Sequence, residues 1–509
     1  MHTTHTEVLV VGAGPTGLVL AIDLARRGIP HRVVERAERG FPGSRGTGIQ
    51  PRTLEVFDDL GVLPAFLAES RAIAPSQIWE GAERVAVRAL VESADDSPGI
   101  PYPDPQMLPQ WRTVELLGAR LEELGGHVDF RTELTGFTQD ADGVTATVRH
   151  ADGTAETVRA GWLVAADGGR STVRKALGVP FTGERLPSAP MLIADVILAG
   201  PDRAEIDRDH WHMWPKSADG FLALRPLEGT EAVQVIAGLG DDAGDLEGEP
   251  GATPEQVTRL VAGRSGLRLT VDQVRWSSVY RAGTAMAERF REGRVILAGD
   301  AAHIHPPSGG QGLNTSLQDA YNLGWKLGAV LRLGAPEELL DSYDAERRRV
   351  AADVLGLASR VHRADQSGAE GGFQRRGKET HQLTLGYRES PLSRELRRDV
   401  PEGALRAGDR APDAPCVDAS GTAVRLFDLF RGPHFTLLDL TGAPAAAPLP
   451  DWIRTYAVGD GPKAALRDPE GHAKAAYGSG LFLVRPDGYV ALATDDAADV
   501  AEYVRRVAG

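Results

Sequence analysis

The chain has 509 residues, of which 42% are hydrophobic and 25% are charged, so it can form about three globular domains with full cores. Its formal net charge of −15 argues against nucleic acid or an anionic membrane surface as a partner. Cys416 is the single cysteine, which excludes an internal disulfide and any Cys-X-X-Cys redox or zinc pair. Residues 1–7 are polar, and neither a signal peptide nor an apolar run of membrane-spanning length is evident, so we expect a cytoplasmic protein.

The first predicted unit is a strand at residues 8–11, a glycine-rich turn, a helix and a second strand that ends at Glu35. The turn has the pattern G-x-G-x-x-G, and an acid follows its third glycine by 18 residues, which is typical of a dinucleotide-binding unit. Gly12 is expected to make the turn, Gly14 to admit a pyrophosphate, and Gly17 to let the helix pack closely. Glu35 would accept a hydrogen bond from a ribose hydroxyl. The predicted cofactor-binding residues of this unit are Gly12, Gly14, Pro15, Thr16, Gly17, Glu35 and Arg36.

Two arginines follow, where a Gly/Pro-rich loop leads into a helix that ends near Gly61. Arg45 lies in the loop, from which it could reach a phosphate, although taken alone it would be read as a solvated charge. Arg52 stands at the helix start and is expected to be a structural ion-pair partner. Farther along, Gln110 opens a helix that is predicted to run through Leu124.

A second turn combines an acid with glycines. It follows a predicted hairpin at residues 144–159 and a strand at residues 162–166, and it reads Asp167-Gly168-Gly169 before a short helix. Taken alone, this would be an Asp-Gly turn that caps a helix. A similar turn occurs later in the chain, at Asp300. This similarity and the spacing between the motifs favour a role of Asp167 in ligand binding instead.

The densest motif runs from Gly299 to Asn314, between a buried strand at residues 294–298 and a helix predicted over residues 315–333. This order of strand, acid, glycine-rich loop and helix places Asp300 beside backbone N–H groups and a helix N-terminus. Such a site suits a ligand that offers hydroxyls to the acid and an electron-rich, partly anionic end to the helix. Several glycines would allow the ligand to approach the backbone closely.

The remaining segments fall into three groups. Residues 76–100 and 181–280 contain short strand-like runs joined by turns, which predicts a strand-rich insert. Residues 355–395 are polar and are predicted to form a helical connector with loops. Residues 396–509 form a further unit with two strands, an Asp487-Gly488 turn and a final helix from about Ala497.

Together, the three glycine-and-acid motifs resemble those of the class A FAD-dependent monooxygenases, in particular the phenol hydroxylase and bacterial aromatic-polyketide hydroxylase branch. The resemblance covers residues 7–350 and implies an α/β fold. It implies a Rossmann-like FAD-binding domain from residues 1–75, 101–180 and 281–395, including the connector, and an inserted strand-rich substrate-binding domain from residues 76–100 and 181–280. Residues 396–509 are similar to the C-terminal thioredoxin-like domain of many such enzymes. Because redox cysteines are missing there, a structural or dimer-contact role is expected, in a monomer or homodimer.

The resemblance also implies which residues contact FAD. Arg45 would lie near the flavin and its phosphates, Gln110 would contact the cofactor, and Leu134 falls where the chain passes the adenine. Asp167 would support FAD and help NAD(P)H approach, and Asp300 would bind the ribityl hydroxyls. The isoalloxazine ring would be lined by Pro307, Gly310, Gly312, Leu313 and Asn314. Such enzymes have no separate nicotinamide domain, which agrees with the single G-x-G-x-x-G.

The implied chemistry uses NADPH or NADH to reduce the flavin, after which O2 adds at flavin C4a and the hydroperoxide transfers OH to an aromatic ring. The expected substrate is a small phenolic or polycyclic, polyketide-like compound of secondary metabolism. Because the flavin carries the reaction, no catalytic side chain is assigned, and Arg45 and Pro307 are the nearest candidates. His303 and His305 lack an evident third ligand, so we expect no metal site.

Substrate contacts are predicted in the strand-rich insert, where aromatic faces could stack on a flat ring, although ordinary sheet packing would also explain them. The candidates are Trp211, His212, Trp214, Phe221 and Arg225. Three alternatives to hydroxylation remain open from the sequence. They are Baeyer–Villiger or epoxidising oxygenation, binding of an aromatic drug without turnover by a flavin-containing protein, and dehydrogenase or oxidase chemistry on the same fold.

Overall fold

The computed structural model describes residues 3–94, 96–185, 189–217, 220–239, 251–306, 310–367, 377–442, 449–459 and 464–508. The helices are α1 Pro15–Arg26, α2 Pro51–Leu60, α3 Leu63–Glu69, α4 Gln110–Glu123, α5 Thr172–Ala176, α6 Pro254–Ser265, α7 Gly312–Arg332, α8 Asp341–Ser367, α9 Leu426–Phe430, α10 His472–Tyr477 and α11 Ala497–Ala508. Short 3-10 helices lie at Arg203–Glu205, Gly299–Ala301, Glu337–Leu340 and Lys378–His381.

The strands of the first half are β1 Thr3–Val11, β2 His31–Glu35, β3 Gly48–Ile49, β4 Arg71–Ala72, β5 Ser76–Glu80, β6 Glu83–Arg88, β7 Gln106–Met107, β8 Val128–Phe130, β9 Glu133–Asp140, β10 Gly143–Arg149, β11 Ala155–Ala165, β12 Phe181–Arg185, β13 Met191–Ala199, β14 Trp211–Trp214, β15 Leu222–Pro226 and β16 Val233–Gly238. Those of the second half are β17 Thr270–Tyr280, β18 Gly283–Ala287, β19 Arg291–Glu292, β20 Val295–Leu297, β21 His303–Ile304, β22 Arg394–Glu395, β23 Pro415–Asp418, β24 Ala423–Arg425, β25 Phe435–Asp439, β26 Ile453–Ala457, β27 Leu466–Arg467, β28 Leu481–Val484 and β29 Val490–Thr494.

The largest sheet is built around β1, which pairs in parallel with β2 on one side and β11 on the other. β20 extends this parallel set beyond β11, and the order is β19-β20-β11-β1-β2-β8. β10 and β9 join through β11 as an antiparallel meander. Residues 8–10 are fully buried, which explains why β1 is a continuous apolar run rather than an alternating one. Helices α1 and α7 pack against each other and share one core with the sheet.

A second sheet of seven strands has the order β17-β13-β16-β15-β14-β5-β6. It unites the strands of residues 76–88 with those of residues 191–280, and only the β14–β5 pair is parallel. Successive side chains point to opposite faces of the sheet. One face packs on α6 through a core that includes Leu192 and Val257, and the other carries Met213, Ala223 and Leu90.

The C-terminal unit contains a mixed five-stranded sheet with the order β22-β29-β28-β25-β26. Its core includes Trp325 and Ala329 of α7, so this unit and the first share packed side chains. The contact also contains buried charges. Glu346 of α8 accepts hydrogen bonds of 2.7 Å from Lys326 of α7 and from Arg485 of the C-terminal unit. The chain is therefore a mixed α/β protein. Its C-terminal unit contacts α7 and α8 through a shared apolar core and through the buried ion pairs of Glu346 with Lys326 and Arg485.

Several elements follow the predicted course, among them α1, α2, α4 and the final helix. One strand boundary was wrong. The sequence suggested a break between residues 159 and 162, whereas β11 is one continuous strand, because it pairs with β1 along nearly its whole length and with β10 over its first half. None of the helices in the described part of the chain is both long and apolar enough to cross a membrane.

Candidate functional site

The three glycine-and-acid motifs meet at one edge of the largest sheet. Val11, Ala165 and Leu297 stand side by side in the register of the parallel strands β1, β11 and β20. The residues that follow each of them turn out of the sheet at the same edge. The carboxyl ends of parallel strands are where open α/β sheets bind ligands. Three segments far apart in sequence therefore line one cavity of about 1900 Å³.

The first turn has the geometry that its glycines predict. Gly12 has a φ of +105°, and a Cβ there would lie 2.3 Å from the backbone oxygen of Ala166. A Cβ on Gly17 would lie 2.0 Å from the oxygen of Gly12, so helix and strand could not approach as they do. Beside Gly14, open space extends into the cavity. Glu35 also lines the cavity, as do Pro15, Thr16 and Arg36.

The second turn presents a partly unpaired acid. One carboxylate oxygen of Asp167 accepts a hydrogen bond of 2.8 Å from the backbone N–H of Thr172 at the start of the short helix α5, whose N-cap is Ser171. Its other oxygen is buried and has no hydrogen-bond partner among the described residues. Asp167 lines the cavity next to Gly168 and Gly169. Asp167 therefore contacts the start of α5 and also lies on the cavity wall, and its role in ligand binding stays a prediction.

The third turn points Asp300 into the cavity. Its carboxylate is accessible to water through the cavity, and it accepts a hydrogen bond of 3.4 Å from Ser316 Oγ. The protein atoms that enclose it raise the pKa of Asp300, although His303 opposes this shift. Gly299 has a φ of +62° at this turn, and a Cβ there would lie 2.6 Å from Thr16 Oγ1. The turn and the N-terminus of α1 are therefore in direct contact.

The flavin-loop candidates separate into two groups. Gly310, Gly312 and Leu313 line the cavity where α7 begins. Asn314 is fully buried, and its amide accepts from Gln50 N–H at 2.8 Å and donates to Gly48 O at 2.9 Å. It thus fastens β3 to the start of α7. Pro307, predicted beside the isoalloxazine ring, lies outside the described residues.

Three isolated candidates also lie on the cavity wall, namely Arg45, Gln110 and Leu134. Gln110 Oε1 accepts a hydrogen bond of 2.8 Å from Gly46 N–H and so fixes the loop that carries Arg45. The Arg45 guanidinium donates to Ser278 Oγ at 2.9 Å and stands over the rings of Phe41 and Trp276. Enclosure by protein lowers the pKa of Arg45, with Asp300 acting in the opposite direction.

The seven-stranded sheet closes the cavity from the other side. Trp211, Phe221 and Arg225 lie on this wall. His212 and Trp214, two further candidates, lie on the opposite face. His212 Nδ1 accepts from Trp79 Nε1 at 3.2 Å, and Trp214 stacks on Trp79 with ring centroids 5.3 Å apart. The alternation of side chains along β14 explains this division.

Arg225 is a buried charged residue in the cavity wall formed by the seven-stranded sheet. Its side chain is 6% exposed and its guanidinium lies 4.8 Å from the Trp211 ring centroid. It donates to Gln234 Oε1, while its Nε has no hydrogen-bond partner among the described residues. Burial lowers the pKa of Arg225 to about 10, partly offset by Asp195. The group therefore stays cationic at neutral pH and keeps an unused donor.

Polar wall residues that were not singled out from the sequence include Gln234, Tyr280 and Thr380, and His305, considered there only as a metal ligand, also lines the cavity. Gln234 Nε2 donates to Ser44 O at 2.6 Å, which connects the Arg225 cluster to the loop of Arg45. Tyr280 donates to His305 O at 3.3 Å, and burial raises the pKa of its hydroxyl to about 12. Burial and nearby His303 lower the pKa of His305 to about 3. The one sequence feature that could have indicated any of these wall residues is the polar Gln234 within an apolar strand.

The cavity fits an extended dinucleotide with a flat ring at one end. Its walls offer a glycine turn open at Gly14, acids at Glu35 and Asp300, and a helix N-terminus at Gly312. Those groups match, in order, a pyrophosphate, a ribose, a polyol chain and an electron-rich heterocycle. The same cavity continues to the aromatic wall of the second sheet, which leaves room for a second flat molecule.

Comparison with known proteins gives the same picture. Residues 5–358 match the family model of the FAD binding domain, and residues 405–509 match that of the aromatic-ring hydroxylase C-terminal domain. The chain is 45% identical over 518 aligned residues to a flavin-dependent monooxygenase of Mycobacteroides abscessus, over 98% of this chain and 99% of the relative. It is 35% identical to a 12-dehydrotetracycline 5-monooxygenase/anhydrotetracycline 6-monooxygenase of Streptomyces rimosus, over 95% and 94% of the two chains. The crystal structure of aklavinone-11 hydroxylase with FAD and aklavinone superimposes with a TM-score of 0.80 at 29% identity, over 100% of both chains.

Proposed function

Because this chain belongs to the family of FAD-dependent aromatic-ring hydroxylases, we propose that it hydroxylates a flat, fused-ring phenol of the polyketide type. When bound and reduced by NADPH or NADH, FAD would activate O2 so that one oxygen atom enters the ring and the other leaves as water. The protein binds and orients both molecules and keeps water from the reacting atoms.

The first and third turns hold the cofactor in this proposal. The N–H groups of the turn around Gly14 receive the pyrophosphate, and Glu35 accepts from the adenosine ribose. Asp300 accepts from hydroxyls of the ribityl chain. The N-terminus of α7 at Gly312 stabilises negative charge on the heterocycle, with a contribution of roughly 0.3–1 kcal/mol, or up to ~2 kcal/mol in a partly buried geometry.

The substrate binds between the cofactor and the seven-stranded sheet. Trp211 and Phe221 offer apolar faces on which a flat ring can stack. Arg225 lines the cavity and holds its proton, so its positive charge stabilises a phenolate or enolate oxygen of the substrate. Stabilising the anion increases the electron density of the ring, which favours attack by an electrophilic oxygen. A neutral hydrocarbon of the same shape would offer this buried cation no negatively charged oxygen.

The observation that carries the proposal is the single cavity that joins all three turns to the aromatic wall of the second sheet. To test it, FAD-reconstituted protein is supplied with NADPH or NADH and with three sets of compounds. These are simple phenols, fused-ring phenols such as anhydrotetracycline and aklavinone, and fused rings without an ionisable hydroxyl. We expect fused-ring phenols to accelerate NAD(P)H oxidation most and to yield a product heavier by one oxygen. Equal stimulation by the hydroxyl-free rings would refute the role of Arg225.

The same experiment separates the rival activities. An oxygenated product with a cleaved or expanded ring indicates Baeyer–Villiger chemistry, and an epoxide indicates attack on an isolated double bond. Tight binding without accelerated NAD(P)H oxidation indicates a drug-binding protein. A product without added oxygen indicates dehydrogenase or oxidase chemistry.

In this proposal the C-terminal unit has a structural role and takes no part in the redox reaction. We infer a thioredoxin-like arrangement from its mixed five-stranded sheet, in which β25 is parallel to β26 and antiparallel to β28. Cys416 is buried, and burial raises the pKa of its thiol to about 11. A thiol of this kind is a poor nucleophile, which favours a structural role.

A further inference from the structure

The segment that connects the two units of the chain crosses the beginning of α7. It comprises Gly377, the 3-10 helix Lys378–His381, and Gln382, and we name it the strap. Thr380 of the strap is 1% exposed and lines the cofactor cavity. The strap therefore forms part of the site, although it lies far in sequence from the glycine-and-acid motifs.

Side-chain amides join the strap to α7 through four buried hydrogen bonds. Gln311 Nε2 donates to Thr380 O at 3.0 Å, and Gln382 Nε2 donates to Gln311 Oε1 at 2.8 Å. Gln382 Nε2 also donates to Thr315 Oγ1 at 3.2 Å, and Gln318 Nε2 donates to Gln382 Oε1 at 2.6 Å. The amide of Gln382 thus contacts α7 at three positions.

Gln382 has a backbone conformation that side chains rarely adopt. Its φ is +62°, and Arg131 is the one other non-glycine residue with a positive φ in the part of the chain that the structure describes. This left-handed conformation is unfavourable for a residue with a long side chain. It persists where surrounding contacts over-determine it, and here those contacts are the hydrogen bonds to α7. The residue with the unfavourable backbone conformation, Gln382, is therefore also the one whose amide is hydrogen-bonded to α7.

The first turns of α7 face the strap on one side and the cofactor cavity on the other. Gln311, Thr315 and Gln318 are separated by four and three residues and so form one stripe of the helix. The neighbouring stripe lines the cavity with Gly312, Leu313 and Ser316. A displacement of the first stripe would move the second, because both belong to the same two turns.

We propose that Gln382 is a positioning residue for the flavin end of the cavity. It locks the strap against α7 and thereby sets the direction of the N–H groups at the helix N-terminus. The proposal rests on the proposed function in that FAD is the occupant of this end. In consequence, the segment leading to the C-terminal unit controls how tightly the cofactor is held and how its ring is polarised.

The first test compares three variants by FAD dissociation constant and flavin midpoint potential. Gln382→Gly permits the left-handed backbone but removes the amide, so we expect the dissociation constant to rise about ten-fold, or about 1.4 kcal/mol. We also expect the midpoint potential to become more negative, because a misdirected helix N-terminus stabilises the reduced, anionic ring less. Gln382→Asn tolerates the same φ and keeps a shorter amide, so its values should lie between those of Gln382→Gly and the wild type.

Arg131→Gly is the matched control, since it relaxes the other left-handed residue in an exposed turn and should leave the midpoint potential unchanged. Wild-type affinity and potential in Gln382→Gly would overturn the proposal. A wild-type protein that fails to bind FAD would instead contradict the proposed function. The two failures are therefore distinguishable.

A second test uses the wild-type chain and does not depend on the folding of a variant. Hydrogen–deuterium exchange is measured without and with FAD. We expect FAD to slow exchange in the first turns of α7 and also in the strap, because the two are hydrogen-bonded. Protection of α7 with no change in the strap would refute the coupling.

Discussion

The carboxylate of Glu35 accepts a hydrogen bond of 3.0 Å from the backbone N–H of Ala13, within the glycine-rich turn. Its other oxygen accepts from the N–H of Ala37 at 2.9 Å. The acid at the end of β2 therefore shapes the turn after β1 as well as facing the cavity. The acid proposed to bind the ribose and the turn proposed to bind the pyrophosphate are therefore joined directly by a hydrogen bond.

Replacement of Glu35 should weaken FAD binding in two ways, because it removes the proposed acceptor for the ribose and also the hydrogen bond that shapes the glycine-rich turn. Hydrogen bonds to a charged group contribute about 1.5–3 kcal/mol, so Glu35→Ala should raise the FAD dissociation constant roughly ten- to hundred-fold. Titration of apoprotein by flavin fluorescence quenching measures this change. Glu38→Gln removes a surface partner of Arg131 and serves as the control that should bind FAD normally. Equal affinities of the two variants would contradict the role of Glu35.

Asp300 should impose a pH dependence on the stability of the apoprotein. Its pKa is raised above 3.8 in the folded state, so its contribution to stability is present at acid pH and is lost as the pH rises through the raised pKa. Asp300→Asn lacks this loss. The melting temperature of Asp300→Asn, relative to that of the wild-type apoprotein, should therefore increase between acid and neutral pH. The affinity of the variant for FAD should fall. If the melting temperatures of the two proteins differ by the same amount at every pH in that range, Asp300 does not cause the pH dependence.

Arg225 should matter more for substrate binding than for stability. Its guanidinium donates to a neutral amide, so Arg225→Met leaves Gln234 Oε1 without this donor and should lose about 1–3 kcal/mol, less than a broken buried ion pair. Its KM for a fused-ring phenol should rise at least about ten-fold, the equivalent of one charge-assisted hydrogen bond. FAD affinity should not change.

Arg347→Met is the matched control for Arg225→Met. Arg347 is also buried, but it donates to Asp319 at 2.6 Å and to Tyr387 at 2.7 Å. Its removal leaves the Asp319 carboxylate without its guanidinium partner and should destabilise the fold by about 3–5 kcal/mol. Denaturant unfolding of both variants measures the contrast. A large stability loss in Arg225→Met would show that Arg225 is structural.

Glu346 should make docking of the C-terminal unit sensitive to acid. Burial acts to raise the pKa of Glu346, but Arg485 and Lys326 outweigh it and hold the pKa well below 4.5. Its contribution to stability is therefore present above that value and is lost as the pH falls below it. Glu346→Gln should lose about 3–5 kcal/mol at neutral pH and show a flatter acid dependence. Glu337→Gln, which removes a surface partner of Arg294, should behave as the wild type.

The sequence predicted the parts of the site that are encoded locally. Gly12 and Asp300 come shortly after strands and Glu35 ends one, and the parallel register of β2, β1, β11 and β20 then brings them together. Strand alternation was harder to assign. Trp211 and Trp214 are both aromatic within one short strand, and the polar His212 lies on the same face as Trp214 although that face packs against the core and not the cavity.

Other parts could not be derived from sequence because they depend on distant contacts. Thr380 and Gln382 lie in a polar connector without periodicity, and their role arises from hydrogen bonds to a helix about seventy residues earlier. The buried pair of Gln234 and Arg225 depends on the register between β15 and β16. Local patterns therefore identified the cofactor end, whereas much of the substrate end required the fold.

Isotope labelling tests the central claim most directly. FAD-reconstituted protein is given NADPH or NADH, a fused-ring phenol that accelerates its oxidation, and ¹⁸O2, and the product is analysed by mass spectrometry. The account predicts a hydroxylated ring that carries a single ¹⁸O atom, with less of it formed by Arg225→Met. A product without ¹⁸O would contradict the account.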